Sequence, residues 1–555
     1  MTAPLARAVR AGFLSCLLGV VAVGCADDRA SKTSHPRGVL LISLDTVRAD
    51  RLGTYGYDRP TSPFLDELAR RSAVFEHAFV QLPGTLPSHM SMLTGLYPAE
   101  HGVYPPAGRL PDAIPMLQEV FNRAGWTTGG FVEGGYMHED FGFARGFDAW
   151  SSEAQLVYDD IERTLARGLS FVDDLEGDEP FFLFLHSYAV HDPYFPPEPY
   201  ASDFDALPVE GAFAPTGPNF VAFNRGELEI TPEALTWYSN AYDASIRYVD
   251  DQLRAFFAEL EARGVLDETL VVVTSDHGEE FLEHGSMVHV QIYPETLHVP
   301  LIVSGPSVEA RRIESVVESV DLAPTVLALA GLESAEIAFS GESLVPLMRG
   351  ERETTPGTAY AESYLDSSRA LIRRSGDSLF HYKEQRRLDD NKKSHPMPQE
   401  FDLEAPGGRL TFFARSFRRP RTLTFYDGEA AFFEAKPPVD QGVRIDVPLP
   451  ADRQSEVIRV VADGCVSPQE LGESEDARCL AVLLAAIDPP QRNAKLFDLE
   501  VDPTAQDNLA SSHGEVVEAF SRRLGAYAER SDNAGENLTL DPEHIDRLKS
   551  LGYLN

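Results

Sequence analysis

Two runs of apolar residues that each end in an acid constrain the fold of this chain more than any other feature. Residues 38–45 read GVLLISLD, and residues 268–276 read ETLVVVTSD. A strand with no polar alternation is covered on both faces, which is the pattern of parallel strands in α/β proteins. Further strands and amphipathic helices alternate around these two: PTSPFLDELARRS, AVFEHAFV, LPDAIPMLQEVFNRAG, PFFLFLHS, the long helical stretch that begins TPEALTWYSN, VPLIVSGP and DLAPTVLALAGL. Such alternation predicts an α/β sheet with helices on both faces over residues 38–355. The pattern changes near residue 360. LIRRSGDSLFHYKEQ predicts antiparallel strands, and KLFDLEVDP followed by two helices closes a smaller α+β domain over 356–555. Short alternating strands punctuated by Pro, Gly and Asp predict a β-sandwich inserted at 385–492.

In an open α/β sheet, ligands bind beyond the carboxyl ends of the strands. Asp45 and Asp276 both sit at such ends, and His277 follows directly. Two carboxylates and an imidazole at one sheet edge form a divalent-cation site. Taken singly, each Asp also fits a helix cap or a turn. The third element is GTLPSHMSMLTG. Pro87 suits the first position of a helix, which places Thr85 just before it, facing free backbone amides that stabilise an anionic phosphoryl or sulfuryl group. A hydroxyl on a divalent cation becomes a competent nucleophile; without that context Thr85 is a turn or capping residue.

The 87 acids outnumber the 48 Lys and Arg residues, for a net charge of −39. This excludes a non-specific nucleic-acid binder, which needs a basic footprint, but not an anionic substrate held by a cation. Residues 1–25 read as an export signal, with Arg7 and Arg10 before an apolar run too short to span a membrane. Ala22-Val23-Gly24-Cys25 resembles a lipoprotein box, which predicts a lipid anchor on Cys25, a polar tether over 26–37 and a periplasmic or cell-envelope location in a bacterium. An ordinary cleaved signal is the alternative. In an exported chain, Cys465 and Cys479 form a disulfide or remain two free thiols.

The strings LDTVRADRLGTYGYDRPTSPFLDELARRSAVFEHAF and TLPSHMSMLTGLYPAEHGV resemble the N-terminal region of the sulfatase family, part of the alkaline phosphatase superfamily. FFLFLHSYAVHDPYFPP, VVVTSDHGEEFLEHG, IYPETLHVPLIV and the closing LFDLEVDP continue the resemblance in register. The resemblance implies the sulfatase and alkaline-phosphatase-like fold. It also implies one divalent cation (Ca²⁺, Mg²⁺ or Mn²⁺, with Zn²⁺ compatible) held by Asp45, Thr85, Asp276 and His277. No Asp-x-x-x-His pair near His186 and His191 offers a second zinc site.

Several positions depart from the family pattern. Sulfatases carry a Cys or Ser that becomes formylglycine; here Thr85 stands in that place, and Thr cannot form the aldehyde. His89 replaces the usual Arg, Thr46 replaces a second acid, and Glu133 and Gly135 stand where a Lys and a His bind sulfate. The resemblance assigns catalytic roles to Thr85, His191 and His89 and substrate binding to His289, with His284 and His298 nearby. His186, in an apolar strand, reads as structural. The expected function is a metal-dependent ester hydrolase or transferase acting through Thr85 on a phosphate ester or phosphonate. The alternatives are a sulfuric ester hydrolase without formylglycine and an inactive surface-binding lipoprotein.

Overall fold

The structure is a computed structural model that describes residues 35–537, apart from 107, 154–159, 333–336, 352–356, 364–367, 386–394, 398–399, 405–409, 417–420, 438, 440–442, 451–456, 464–481, 489–493 and 529–535. The leader with Cys16 and Cys25, the Cys465–Cys479 segment and the second closing helix lie outside the described residues.

A nine-stranded sheet organises the chain. Its strands are β1 (Gly38–Leu44), β2 (Ala73–Phe79), β3 (Thr127–Phe131), β4 (Ala149–Ser151), β5 (Phe181–Ser187), β6 (Thr269–Thr274), β7 (His298–Val299), β8 (Leu301–Ser304) and β9 (Arg311–Glu318). They lie in the order β7-β2-β8-β6-β1-β5-β3-β4, with β9 pairing β2. β6, β1, β5, β3 and β4 run parallel to one another. β7 and β8 run antiparallel to their neighbours, so the sheet is mixed.

Every residue of β1, β5 and β6 is buried, as the unbroken apolar runs require. Successive side chains point to opposite faces, and the two cores divide accordingly. Val39, Leu41, Phe182, Phe184, Leu270 and Val272 pack on one face. Leu40, Ile42, Leu183, Leu185, Val271 and Val273 pack on the other. Helices α2 (Thr85–Thr94) and α5 (Leu322–Ala330) cover the first face; α1 (Pro63–Ala69), α3 (Asp160–Asp173) and the 31-residue α4 (Pro232–Ala262) cover the second.

Two helix expectations shift. The helix predicted from LPDAIPMLQEVFNRAG spans only Leu117–Arg123, because Pro115 pushes Ile114 out of the helical region. α2 begins at Thr85, with Gly84 as its cap, so Pro87 stands third rather than first. The amide hydrogens of the first turn have no intrahelical acceptor, so a proline is accommodated at either place.

Beyond the main sheet, Thr358–Glu362, Ser368–Ser375, Ser378–Gln385 and Ala494–Asp498 form an antiparallel sheet. Between its third and fourth strands lie two four-stranded sheets that share a core of Leu410, Leu423, Phe425, Ile458 and Val460. This is the β-rich insertion.

Candidate active site

The register of three adjacent parallel strands builds the site. Ser43 of β1 is level with His186 of β5 and with Thr274 of β6, so the residues that follow emerge together at one edge. Asp45 leaves β1 there, its amide bonded to the Ser187 carbonyl at 3.0 Å. Asp276 and His277 leave β6 beside it. α2 brings Thr85 to the same edge, and its hydroxyl donates to Asp45 Oδ2 at 3.3 Å. All four residues are buried, none more than 1% exposed.

Each ligand candidate has one atom tied down and one left over. Asp45 Oδ2 accepts from Thr85 Oγ1 and from His186 Nε2 at 3.0 Å. Asp276 Oδ1 accepts from the backbone amides of Thr46 at 3.3 Å and His277 at 3.0 Å. His277 Nδ1 donates to the Gly278 carbonyl at 3.0 Å, which leaves the Nε2 lone pair. The remaining atoms, Asp45 Oδ1, Asp276 Oδ2 and His277 Nε2, are buried without a hydrogen-bond partner. They converge: Nε2 lies 3.4 Å from Asp276 Oδ2 and 3.9 Å from Asp45 Oδ1. Each buried lone pair left without a partner costs about 1–3 kcal/mol, and more on a charged group. A divalent cation satisfies all three, and this donor set fits one.

Electrostatics agree. Burial, and then the neighbouring Asp276 carboxylate, push Asp45 well above the usual carboxylate range. Burial lowers His277 to about 4, so its ring is neutral and available as a ligand. Thr46 holds the turn between the two acids in the left-handed region at φ 60°, an uncommon conformation for a β-branched residue. That conformation aims its amide at Asp276, and Tyr242 from α4 clamps its carbonyl at 2.7 Å. Gly278 is required beside His277, since a Cβ there would lie 2.0 Å from the Glu295 carbonyl oxygen.

A second group, His89, His186 and Asp276, also has metal-ligand spacing, but in it both nitrogens of His89 are already bonded. His89 Nδ1 lies 2.8 Å from the Thr85 carbonyl, which can only accept, so Nδ1 carries the hydrogen and Nε2 accepts from Ser43 Oγ at 2.9 Å. His89 therefore grips the first turn of α2, with Nδ1 also 3.6 Å from Asp276 Oδ2. His186, which reads as structural in the sequence, is bonded to Asp45. Sequence reasoning also passed over Ser43 and Glu279; for Ser43 the available signal was a polar residue near the end of an otherwise apolar strand.

His289 and His191 lead outward from the cation site. The His277 and His289 rings are 4.3 Å apart, and His289 and His191 are 5.4 Å apart. His191 Nδ1 is held by the Asp192 carbonyl at 2.7 Å. His289 Nδ1 lies 3.2 Å from Glu279 Oε1. Burial raises Glu279 to about 7 and lowers His289 to about 3. Glu133 does not serve as a surface carboxylate: it accepts from the Tyr188 amide at 2.7 Å and from Thr164 Oγ1 at 3.2 Å, bracing the loop that carries His191. His284 is bonded to Glu295 and stacked on Tyr293, and His298 is bonded to the Glu76 carbonyl.

A family model described as Sulfatase matches residues 37–332. The choline-sulfatase of Rhizobium meliloti (strain 1021) is 25% identical over 459 residues, spanning 72% of this chain and 88% of that protein. The phosphonate monoester hydrolase of Agrobacterium radiobacter superposes with a TM-score of 0.57 at 16% identity, over 89% of this chain and 95% of that one. A structure solved in complex with its substrate D-glucosamine-2-N,6-O-disulfate superposes with a TM-score of 0.60 at 15% identity, over 90% and 100%.

Proposed function

The chain belongs to the sulfatase family, whose members hydrolyse esters, and we propose that this one cleaves or transfers a phosphate ester or phosphonate through the Thr85 hydroxyl. The observation that carries the reading is Thr85 itself. It stands at the first position of α2, bonded to Asp45 and beside three orphaned ligand atoms. Asp45, Asp276 and His277, with Thr85, would hold one divalent cation, which lowers the pKa of a bound hydroxyl and neutralises charge on the transferred group.

Thr85 Oγ attacks phosphorus and its proton passes to Asp45 Oδ2, which already accepts it. The bond from phosphorus to the leaving oxygen breaks, and His191 supplies the proton that oxygen needs. Water, or a second alcohol, then releases the phosphoryl group from Thr85. α2 presents the amide hydrogens of its first turn to the anionic group, and His89 holds that turn in place.

The test is a panel of aryl phosphate mono- and diesters, a phosphonate monoester and an aryl sulfate, run across several divalent cations. Turnover of a phosphorus ester, with phosphothreonine at position 85 detected by mass spectrometry, is the expected result. Full turnover by Thr85→Ala would sink the assignment. The similarity to a choline-sulfatase supports a second reading, a sulfatase that works without formylglycine; turnover of the aryl sulfate alone selects it. A chain that binds no cation and turns over nothing would be the inactive surface lipoprotein.

We also place the protein in the bacterial envelope, anchored through Cys25. Among the described residues no helix is long and apolar enough to cross a membrane. The anchor predicts that expressed protein partitions with membranes, and that Cys25→Ser releases it.

A further inference from the structure

Asp45 is the hub of the site, and its Oδ2 is bonded to a residue outside the Asp45, Thr85, Asp276 and His277 ligand set. His186 sits on β5, opposite Ser43 of β1, with its side chain fully buried. Its Nε2 lies 3.0 Å from Asp45 Oδ2. Asp45 must be ionised to hold a cation, and a carboxylate oxygen only accepts, so in that state Nε2 carries the hydrogen and Nδ1 is left as a bare lone pair, which has no partner. The ring is held edge-on against His89 at 4.9 Å and against Tyr188 at 4.6 Å, at interplanar angles of 84° and 85°. It cannot swing away without disturbing the α2 grip on one side and the His191 loop on the other.

We propose that His186 is a positioning residue for cation capture: its Nε2–H holds Asp45 Oδ2, so that Oδ1 is presented to the cation with Asp276 Oδ2 and His277 Nε2. The three ligand orientations are then each fixed by a different element. β5 fixes Asp45 through His186, the strained Thr46 turn fixes Asp276, and the Gly278 carbonyl fixes His277. A carboxylate free to rotate would offer either oxygen to the cation and lose orientational entropy on binding. A carboxylate clamped on one oxygen has incurred that loss during folding.

The inference rests on the site binding a cation, and the experiment separates the two. Chelator-stripped full-length protein is titrated with Mn²⁺ and Ca²⁺ by isothermal calorimetry, with melting temperatures recorded alongside. The variants are His186→Gln, whose amide nitrogen reaches roughly the Nε2 position, and His186→Asn, whose amide reaches only the Nδ1 position. We expect His186→Asn to weaken cation affinity by about 10–100-fold and His186→Gln to stay within about threefold of wild type. Equal affinity in the two variants, whether lowered or unchanged, overturns the proposal. Should His186→Asn fail to fold, the long-range ¹H–¹⁵N histidine spectrum of the wild-type protein decides, with His186 assigned by its loss in His186→Gln. An Nε2–H ring supports the proposal and an Nδ1–H ring overturns it. A wild-type chain that takes up neither ion overturns the cation reading itself and the His186 assignment with it; a chain that binds, with the variants alike, overturns His186 alone.

Discussion

Two sets of buried acids meet the segment that follows β1, and they are built in opposite ways. Asp243 is fully buried, and three donors meet it: Arg51 at 3.1 Å, Arg59 at 2.6 Å and Tyr57 at 2.6 Å. Its charge is matched by two guanidiniums, and it pins the segment after β1 onto α4. Asp45 and Asp276 are equally buried, yet each retains an oxygen with no partner, and among the described residues no Arg or Lys is paired with either. A buried charge that the fold compensates is a structural charge. A buried charge left uncompensated is a cost that a ligand removes. Satisfaction, not burial, separates scaffold from site.

The largest expected effect lies at the site. Thr85→Ala should lower turnover by about 10³-fold or more with an unchanged melting temperature, read by steady-state kinetics and thermal unfolding. Asp243→Asn should do the reverse: lose about 1–3 kcal/mol of stability by leaving two partly exposed guanidiniums without their carboxylate, while activity per folded molecule persists. Loss of activity without loss of stability in Asp243→Asn would break the comparison.

A smaller effect concerns the cation. Excess divalent ion at about 100 times Kd should stabilise the chain by about 2.7 kcal/mol, seen as a rise in melting temperature that a chelator reverses. Asp276→Asn should abolish that rise without lowering the melting temperature of the stripped protein, because it removes one of two repelling carboxylates. A stripped Asp276→Asn protein less stable than wild type would show that Asp276 carries structure as well as function.

The smallest effect is at Glu133, a buried carboxyl that accepts from the Tyr188 amide and Thr164 Oγ1. Burial raises it to about 7 from an ordinary value of 4.5. Between those values the folded chain holds a proton that the unfolded chain has released, so stability falls as pH rises through the window. Glu133→Gln removes its share of that fall. The melting temperature of the stripped variant should decline less steeply than wild type between pH 4.5 and 7, and an unchanged slope would place the Glu133 carboxyl in an ionised state throughout.

Much of this was legible in the residues. The unbroken runs before Asp45 and Asp276 predict buried strands whose ends carry ligands, and the helix after Gly84 predicts a nucleophile among free amides. Those features are local, and strand period and helix start are local physics. His186 was not legible as an Asp45 partner, nor His89 as a clamp on Thr85. Each lies within an apolar or helical run where a core histidine looks the same, and the distinction rests on a neighbour 141 residues away for His186 and 46 for His89. The mixed character of the sheet was equally hidden, because a four-residue apolar strand such as Leu301–Ser304 reads alike in either direction.

The sequence by itself therefore determined the α/β architecture and the strand ends at which Asp45, Asp276 and His277 sit, because periodicity and chain punctuation are written residue by residue. Only the tertiary structure decided which oxygen of each carboxylate is tied and which is left over. That choice depends on the register of β6, β1 and β5, on the left-handed turn at Thr46 and on two histidines brought beneath the site from other elements, and long-range pairing is what sets all three.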